Sequence, residues 1–232
     1  MFLGIDPLYW MMMAPVMALS LWASFRVKST FTRFSQVESR SGMTGAEAAA
    51  AILHRNGLDD VEVVETGGFL SDHYDPGRRV IRLSTDVFHG SSISSIGVAA
   101  HETGHALQHA HRYGPLVLRN TMAPVAQISS WASWAIIVGG FILNWLDLVK
   151  IGIVVFSVVV AFQVITLPVE FNASTRAKEA LASYGIVGRN ELAGVDRVLS
   201  AAAMTYVAAA ASAIVTLIYY LLRAGILGRK DD

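Results

Sequence analysis

His101, Glu102 and His105 stand in the run Ala99-Ala100-His101-Glu102-Thr103-Gly104-His105-Ala106. On a helix, residues four apart share a face, so both imidazoles can reach one ion. Glu102, beside the first His, is placed to handle the proton of a water held at that ion. This is the arrangement of a zinc peptidase. Five residues alone arise by chance in many chains, and the context adds weight. Ser91-Ser92-Ile93-Ser94-Ser95 is rich in N-cap residues. Ile96, Val98, Ala99 and Ala100 lead an apolar run into the pair, and Ala106 and Leu107 continue it. A core helix with two hydrogen-bonded histidines is the alternative. A buried His-Glu-His cluster without an ion is costly to satisfy.

A catalytic zinc takes three protein ligands and a water. His111 follows His105 by six residues, the metzincin spacing, but that motif needs a Gly where this chain has Gln108. On an unbroken helix His111 lies about 80° off the ligand face. His109 is on the right face but a turn too far along. Glu170 is the better choice. It ends the third apolar run of the chain, where a carboxylate is expensive unless partnered. Glu179 is the fallback.

Composition narrows the setting. The 232 residues hold 18 Lys and Arg against 18 Asp and Glu, so no net charge favours nucleic acid. There is no Cys, which excludes disulfides, thiolate metal sites and thiol nucleophiles. A zinc site must be built from His, Glu or Asp. Hydrophobic residues make up 53% of the chain and the mean hydropathy is +0.47, values of a membrane protein.

Four apolar runs bear this out. Residues 8–25 carry no charge and, as a helix, span ~27 Å, near the thickness of the hydrocarbon core. Asp6 precedes this run and Arg26, Lys28 and Arg33 follow it. That is the order of an anchor, not of a secretory signal. Pro15 is a potential kink. The second run is 122–146, with Trp131, Trp134 and Trp145 as interfacial anchors. The third is 151–169, joined to the second by a short turn. The fourth, 198–222, begins with closely spaced Ala and is either a crossing or a buried or interfacial helix. Ten Lys and Arg lie between 26 and 121, four between 170 and 197, and one, Lys150, in the hairpin turn. The positive-inside rule puts the first and third loops in the cytoplasm. Arg223, Arg229 and Lys230 then dissent.

The first loop has its own order. Residues 26–40 form a basic, polar segment. Thr44-Gly45-Ala46-Glu47 is a capping box opening an Ala-rich helix that Asn56-Gly57 ends. His54 near its end reads as a favourable terminal charge. Val61-Glu62-Val63-Val64-Glu65, residues 69–74 and residues 79–83 read as strands. Asp75-Pro76-Gly77-Arg78 reads as a turn. The strand with Val80, Ile81, Arg82 and Leu83 is a candidate edge to which a substrate peptide could add. A plain hairpin covering the helix is the equal alternative. Ser84 or Thr85 caps a helical turn around Val87 and Phe88.

Four stretches together carry a family resemblance. They are Ser71-Asp72-His73-Tyr74-Asp75-Pro76, Ile81-Arg82-Leu83-Ser84, the run around His101, and Leu167-Pro168-Val169-Glu170-Phe171-Asn172-Ala173-Ser174. In this order they resemble the YugP-type neutral zinc metallopeptidases, over about residues 1–225. The resemblance implies a bacterial, membrane-embedded zinc peptidase and no particular substrate. A fainter similarity links the chain to HtpX-type and CAAX-prenyl membrane peptidases, whose third zinc-ligating Glu stands in Glu-x-x-Ala-Asp. Carried over, it makes Glu170 the ligand and Ala173 the Ala. Ser174 stands where those enzymes have an Asp supporting a ligand His, so Ser174 or Asn172 would have to supply that hydrogen bond.

The expected fold is an α-helical integral membrane protein with about four transmembrane helices. A small α+β, zincin-like cytosolic part carries the HExxH helix. The expected segments are a transmembrane helix at 1–25, the zinc-peptidase part at 26–121 and a transmembrane hairpin at 122–169. A cytosolic helical segment at 170–197 and a fourth transmembrane helix with tail at 198–232 follow. The expected function is a gluzincin-like zinc metalloendopeptidase with Zn2+ as cofactor, His101, His105 and Glu170 as ligands and Glu102 as general base. His73, Tyr74 and Arg176 are the candidates for stabilising the oxyanion. The partners are a peptide or protein substrate and the lipid bilayer. The expected location is the bacterial inner membrane, with the site facing the cytoplasm. The rival function is a membrane adaptor with a structural zinc. A metal transporter ranks last, because the apolar runs carry no charges.

Overall fold

The computed structural model describes residues 6–68 and 71–227. The described elements are seven helices and three strands, and they fall into two compact units.

The first unit takes residues 6–22, 117–167 and 205–227. It draws on the four helices that, among the described residues, are long and apolar enough to cross a membrane. These are α1 (Pro7–Phe34), α5 (Gly114–Ile142), α6 (Leu146–Ser183) and α7 (Arg189–Arg223). α1, α6 and α7 outrun the apolar stretches that announce them, because polar residues at their ends continue the same backbone pattern, whereas α5 starts earlier than its stretch and ends before it. Trp10, Met11, Leu21, Trp131, Trp134, Ile142, Leu143 and Val154 are exposed. Outward apolar side chains of this density suit lipid, not water. The α5–α6 hairpin turns at Asn144, whose φ is +50°. Gly140 and Gly152 let its arms close. A Cβ on Gly140 would lie 2.7 Å from Val149 Cγ2, and one on Gly152 3.1 Å from the Ile137 nitrogen. Buried Asp6 accepts from the Tyr219 hydroxyl at 2.9 Å and pairs with Arg223 Nε at 3.2 Å. Arg223, one of the three charges that dissent from the inside rule, is thus neutralised within the unit.

The second unit takes residues 23–116 and 168–204. It is built around α4 (Ile93–Ala110), buried along most of its length. Ser92 caps it, accepting from the Ser95 N–H at 3.2 Å. Ile96, Ala100 and Leu107 fall on one stripe of α4 and pack with Ile52, Leu181, Val195 and Leu199. Ala99 and Ala106, turned to the side, pack with Phe31, Leu53, Ile81, Leu83 and Val87. His101 and His105 lie on the remaining face. α2 (Gly45–Arg55) opens with the full Thr44–Glu47 capping box and ends at Asn56, followed by Gly57 at φ +67°. His54 meets Asp59 beyond the helix end, Nδ1 to Oδ1, at 2.7 Å.

The sheet has the order β1-β3-β2, with β1 (Glu62–Thr66), β2 (His73–Asp75) and β3 (Val80–Ser84). Residues 69–70, where the second strand was expected to start, lie outside the described residues. Asp75 Oδ1 holds the β2–β3 turn, accepting from the N–H groups of Gly77 and Arg78. β3 pairs antiparallel with β2 and parallel with β1. This corrects the edge assignment for Val80, Ile81, Arg82 and Leu83. Their strand is central, with Val80, Ile81 and Leu83 buried. Its backbone groups are used on both sides, so the strands with an unpaired side among the described residues are β1 and β2. α3 (Thr85–Phe88) follows from Ser84, whose side chain makes no capping bond.

Candidate metal centre

α4 runs unbroken through Gln108 to Ala110, so the chain makes no metzincin-like turn. His111 caps the helix end, and its Nδ1 lies 3.0 Å from Arg176 Nη1. His109 points to β2, where its Nδ1 lies 2.8 Å from the Tyr74 hydroxyl. Glu179 is exposed. None of the three meets the His101–His105 face.

Glu170 does. Its Oε2 lies 3.3 Å from His101 Nε2 and 3.6 Å from His105 Nε2. The two imidazoles stand edge to face, with centroids 4.8 Å apart. One ligand atom from each of the three residues falls within 4.8 Å of the others, and no other such group occurs among the described residues. Glu170 is 2% exposed and His105 is also buried.

Gly104 and Ala173 make this approach possible. A Cβ on Gly104 would overlap the Ala173 carbonyl oxygen and lie 3.2 Å from its Cα. Without side-chain bulk between them, α4 and the 168–183 part of α6 come close enough for Glu170 to reach both rings. We expect Gly104→Ala to lower stability by about 1–3 kcal/mol, the usual cost of overpacking. It should weaken zinc binding as well. A melting curve and a zinc titration of the purified variant read both effects, and wild-type values in both would refute the close-approach argument.

The donor set fits a zinc ion. Metal bonds of ~2.0–2.1 Å at tetrahedral angles place neighbouring ligand atoms ~3.4 Å apart, close to the two separations seen here. Electrostatics agree. Burial works against a charged His105, but its pairing with Glu170 and the charge of Glu102 outweigh that, and its pKa lies above the ordinary value. The carboxylates of Glu170 and Glu102 therefore favour positive charge at the His105 ring.

Residues 9–225 match the family model described as "Putative neutral zinc metallopeptidase". The chain belongs to this family. It is also 53% identical over 206 residues to "Putative membrane protease YugP" of Bacillus subtilis (strain 168), covering 89% of this chain and 92% of that protein. No solved structure matches it.

The remaining residues singled out from the sequence fall into two groups. Ser174 joins the centre, its Oγ 3.2 Å from His101 Nδ1. Asn172 touches neither ring and accepts instead from Gln108 Nε2 at 3.0 Å and Arg176 Nε at 2.8 Å. Glu102 is 8% exposed on α4. His73 is exposed on β2, its Nδ1 2.8 Å from the Ser71 carbonyl. Tyr74 is engaged with His109, and Arg176 with Asn172 and His111. The hydrogen bonds described for these three go to partners outside the His101–His105–Glu170 group.

Two residues escaped the sequence reading. Gln108 is 0% exposed, and its Oε1 lies 3.0 Å from His105 Nδ1. A polar residue one turn after His105 was the available signal. Asp72 accepts from the Ser84 N–H at 2.7 Å and from its hydroxyl at 3.1 Å. Burial pushes the Asp72 carboxyl up, the Ser84 bonds pull it down, and the charge of Glu102 raises it again, leaving it above its ordinary value.

Proposed function

We propose that the chain is a membrane-bound zinc metalloendopeptidase of the gluzincin type. Zinc is held by His101, His105 and Glu170, and Glu102 serves as general base. The observation that carries this reading is the meeting of Glu170 with both imidazoles at one buried point. Zinc bound there would polarise the scissile carbonyl and acidify a water. Glu102 takes a proton from the attacking water and passes it to the leaving amine nitrogen. His101 and His105 would present Nε2, the atoms that face Glu170, to the ion. Ser174 orients the first ring and Gln108 the second.

Four apolar helices and a relative named as a membrane protease support a site in the bacterial inner membrane. The concentration of Lys and Arg in residues 26–121 and 170–197 supports a cytoplasmic face for the zinc. Arg223, paired with Asp6, weakens the one dissenting signal. The substrates on this reading are extended segments of soluble or juxtamembrane proteins. A structural zinc in an adaptor protein would need a fourth protein ligand. His109 and His111 are engaged elsewhere and Glu179 is exposed, which favours an open fourth position.

Purified protein in detergent or nanodiscs, given an unstructured protein substrate such as casein, tests the reading. Cleavage should vanish with a chelator, return with zinc and be blocked by a hydroxamate. Tight zinc binding with neither cleavage nor hydroxamate binding would replace the peptidase by the adaptor.

A further inference from the structure

We propose that Gln108 is a positioning residue that fixes the tautomer of His105, so that its Nε2 lone pair faces the ion. This rests on His105 being a zinc ligand. The argument is one of donors and acceptors. Gln108 Nε2 lies 2.8 Å from the Val169 carbonyl oxygen and 3.0 Å from Asn172 Oδ1. A backbone carbonyl only accepts, so the amide group facing it must be the NH2. Asn172 agrees from the other side. Its Oδ1 also takes the Nε–H of Arg176, and a guanidinium only donates, so that atom is an oxygen. The Gln108 amide is thereby oriented, and its Oε1 is left facing His105 Nδ1 at 3.0 Å. An amide oxygen only accepts, so Nδ1 must carry the proton. The neutral ring then has its lone pair at Nε2, the atom that faces Glu170.

Arg176 is itself anchored. It donates from Nη1 to His111 Nδ1 at 3.0 Å and lies 5.9 Å from the centroid of the Tyr113 ring. Arg176 thus donates in two directions, to His111 at the α4 end and to Asn172. At Asn172 it meets the chain of donors from His105 through Gln108. His101 has no such control. The Ser174 hydroxyl can donate or accept, so it holds that ring without dictating which nitrogen is protonated. The two ligand histidines are therefore held by different rules, and the second is the pre-set one.

Gln108→Met tests this, because Met keeps most of the volume and loses every hydrogen bond. Zinc affinity is measured by chelator competition on the full-length protein. The Nδ1 proton of the ligand His is followed by NMR of the 15N-histidine-labelled, zinc-loaded form. The expected result is an affinity about 10–100-fold lower, the range for residues that support ligands. Loss or rapid exchange of one hydrogen-bonded Nδ1–H signal should accompany it. Asn172→Leu, which removes the acceptor for Gln108 and Arg176, should shift both readouts the same way and serves if Gln108→Met does not fold. A folded variant with wild-type affinity and an intact Nδ1–H signal would show that Gln108 only fills space, and would overturn the proposal. Wild-type protein that binds no zinc would instead overturn the metal-centre reading on which the proposal rests.

Discussion

Glu102→Gln should retain zinc and lose peptide cleavage by about 10²–10⁴-fold, the usual contribution of a positioned general base. Gln has nearly the shape of Glu and cannot accept the proton of the attacking water. Glu102 is not among the three residues whose ligand atoms converge, so the ion should stay. It lies on the helix that carries both histidines and is almost fully buried, where an uncharged replacement is easily tolerated. The measurement is turnover of a protein substrate beside the zinc content of the same preparation. Cleavage at the wild-type rate would remove Glu102 from the chemistry. Loss of zinc together with cleavage would mean that the carboxylate holds the ion instead of serving as base.

Glu170→Gln should do the reverse and act first on the metal. The carboxylate is the one anionic member of the group and sits between both rings. Replacing it with an amide removes the charge that favours a cation there. Zinc affinity should fall by more than about 100-fold, beyond the range for residues that only support ligands. Cleavage should fall with it and recover in part when zinc is supplied in excess. Chelator competition gives the affinity, and circular dichroism checks that the helices survive. Unchanged affinity would return the third ligand to Glu179, His109 or His111.

These two variants probe residues of unequal legibility. The His101–Glu102–His105 spacing needs only the helical repeat, so the sequence by itself presents two imidazoles on one face. The Ser92 cap and the Thr44–Glu47 box are likewise local, and the structure contains both. Apolar length announces the four long helices, because spanning a hydrocarbon layer is a matter of composition over about twenty residues. Gln108 was visible only as a missing glycine. Its chemistry depends on which carbonyl and which side-chain oxygen α6 brings to it, and no spacing rule reaches from residue 108 to 169 and 172. The oxyanion candidates show the same limit. Tyr74 has a suitable hydroxyl, but β2 gives it to His109.

What the sequence determined about this protein is therefore the chemistry on offer: a two-histidine helix, a nearby acid, no thiols and enough apolar length for a membrane. The tertiary structure decided what meets what. It brought Glu170, 65 residues beyond His105, to both rings by letting α4 and α6 touch at Gly104 and Ala173. It also made β3 the central strand, although the sequence left Val80, Ile81, Arg82 and Leu83 open to an edge position. The physical reason is range. Helical periodicity and capping are set by neighbours within a turn, whereas strand order and a three-residue metal site are set by packing between segments distant along the chain.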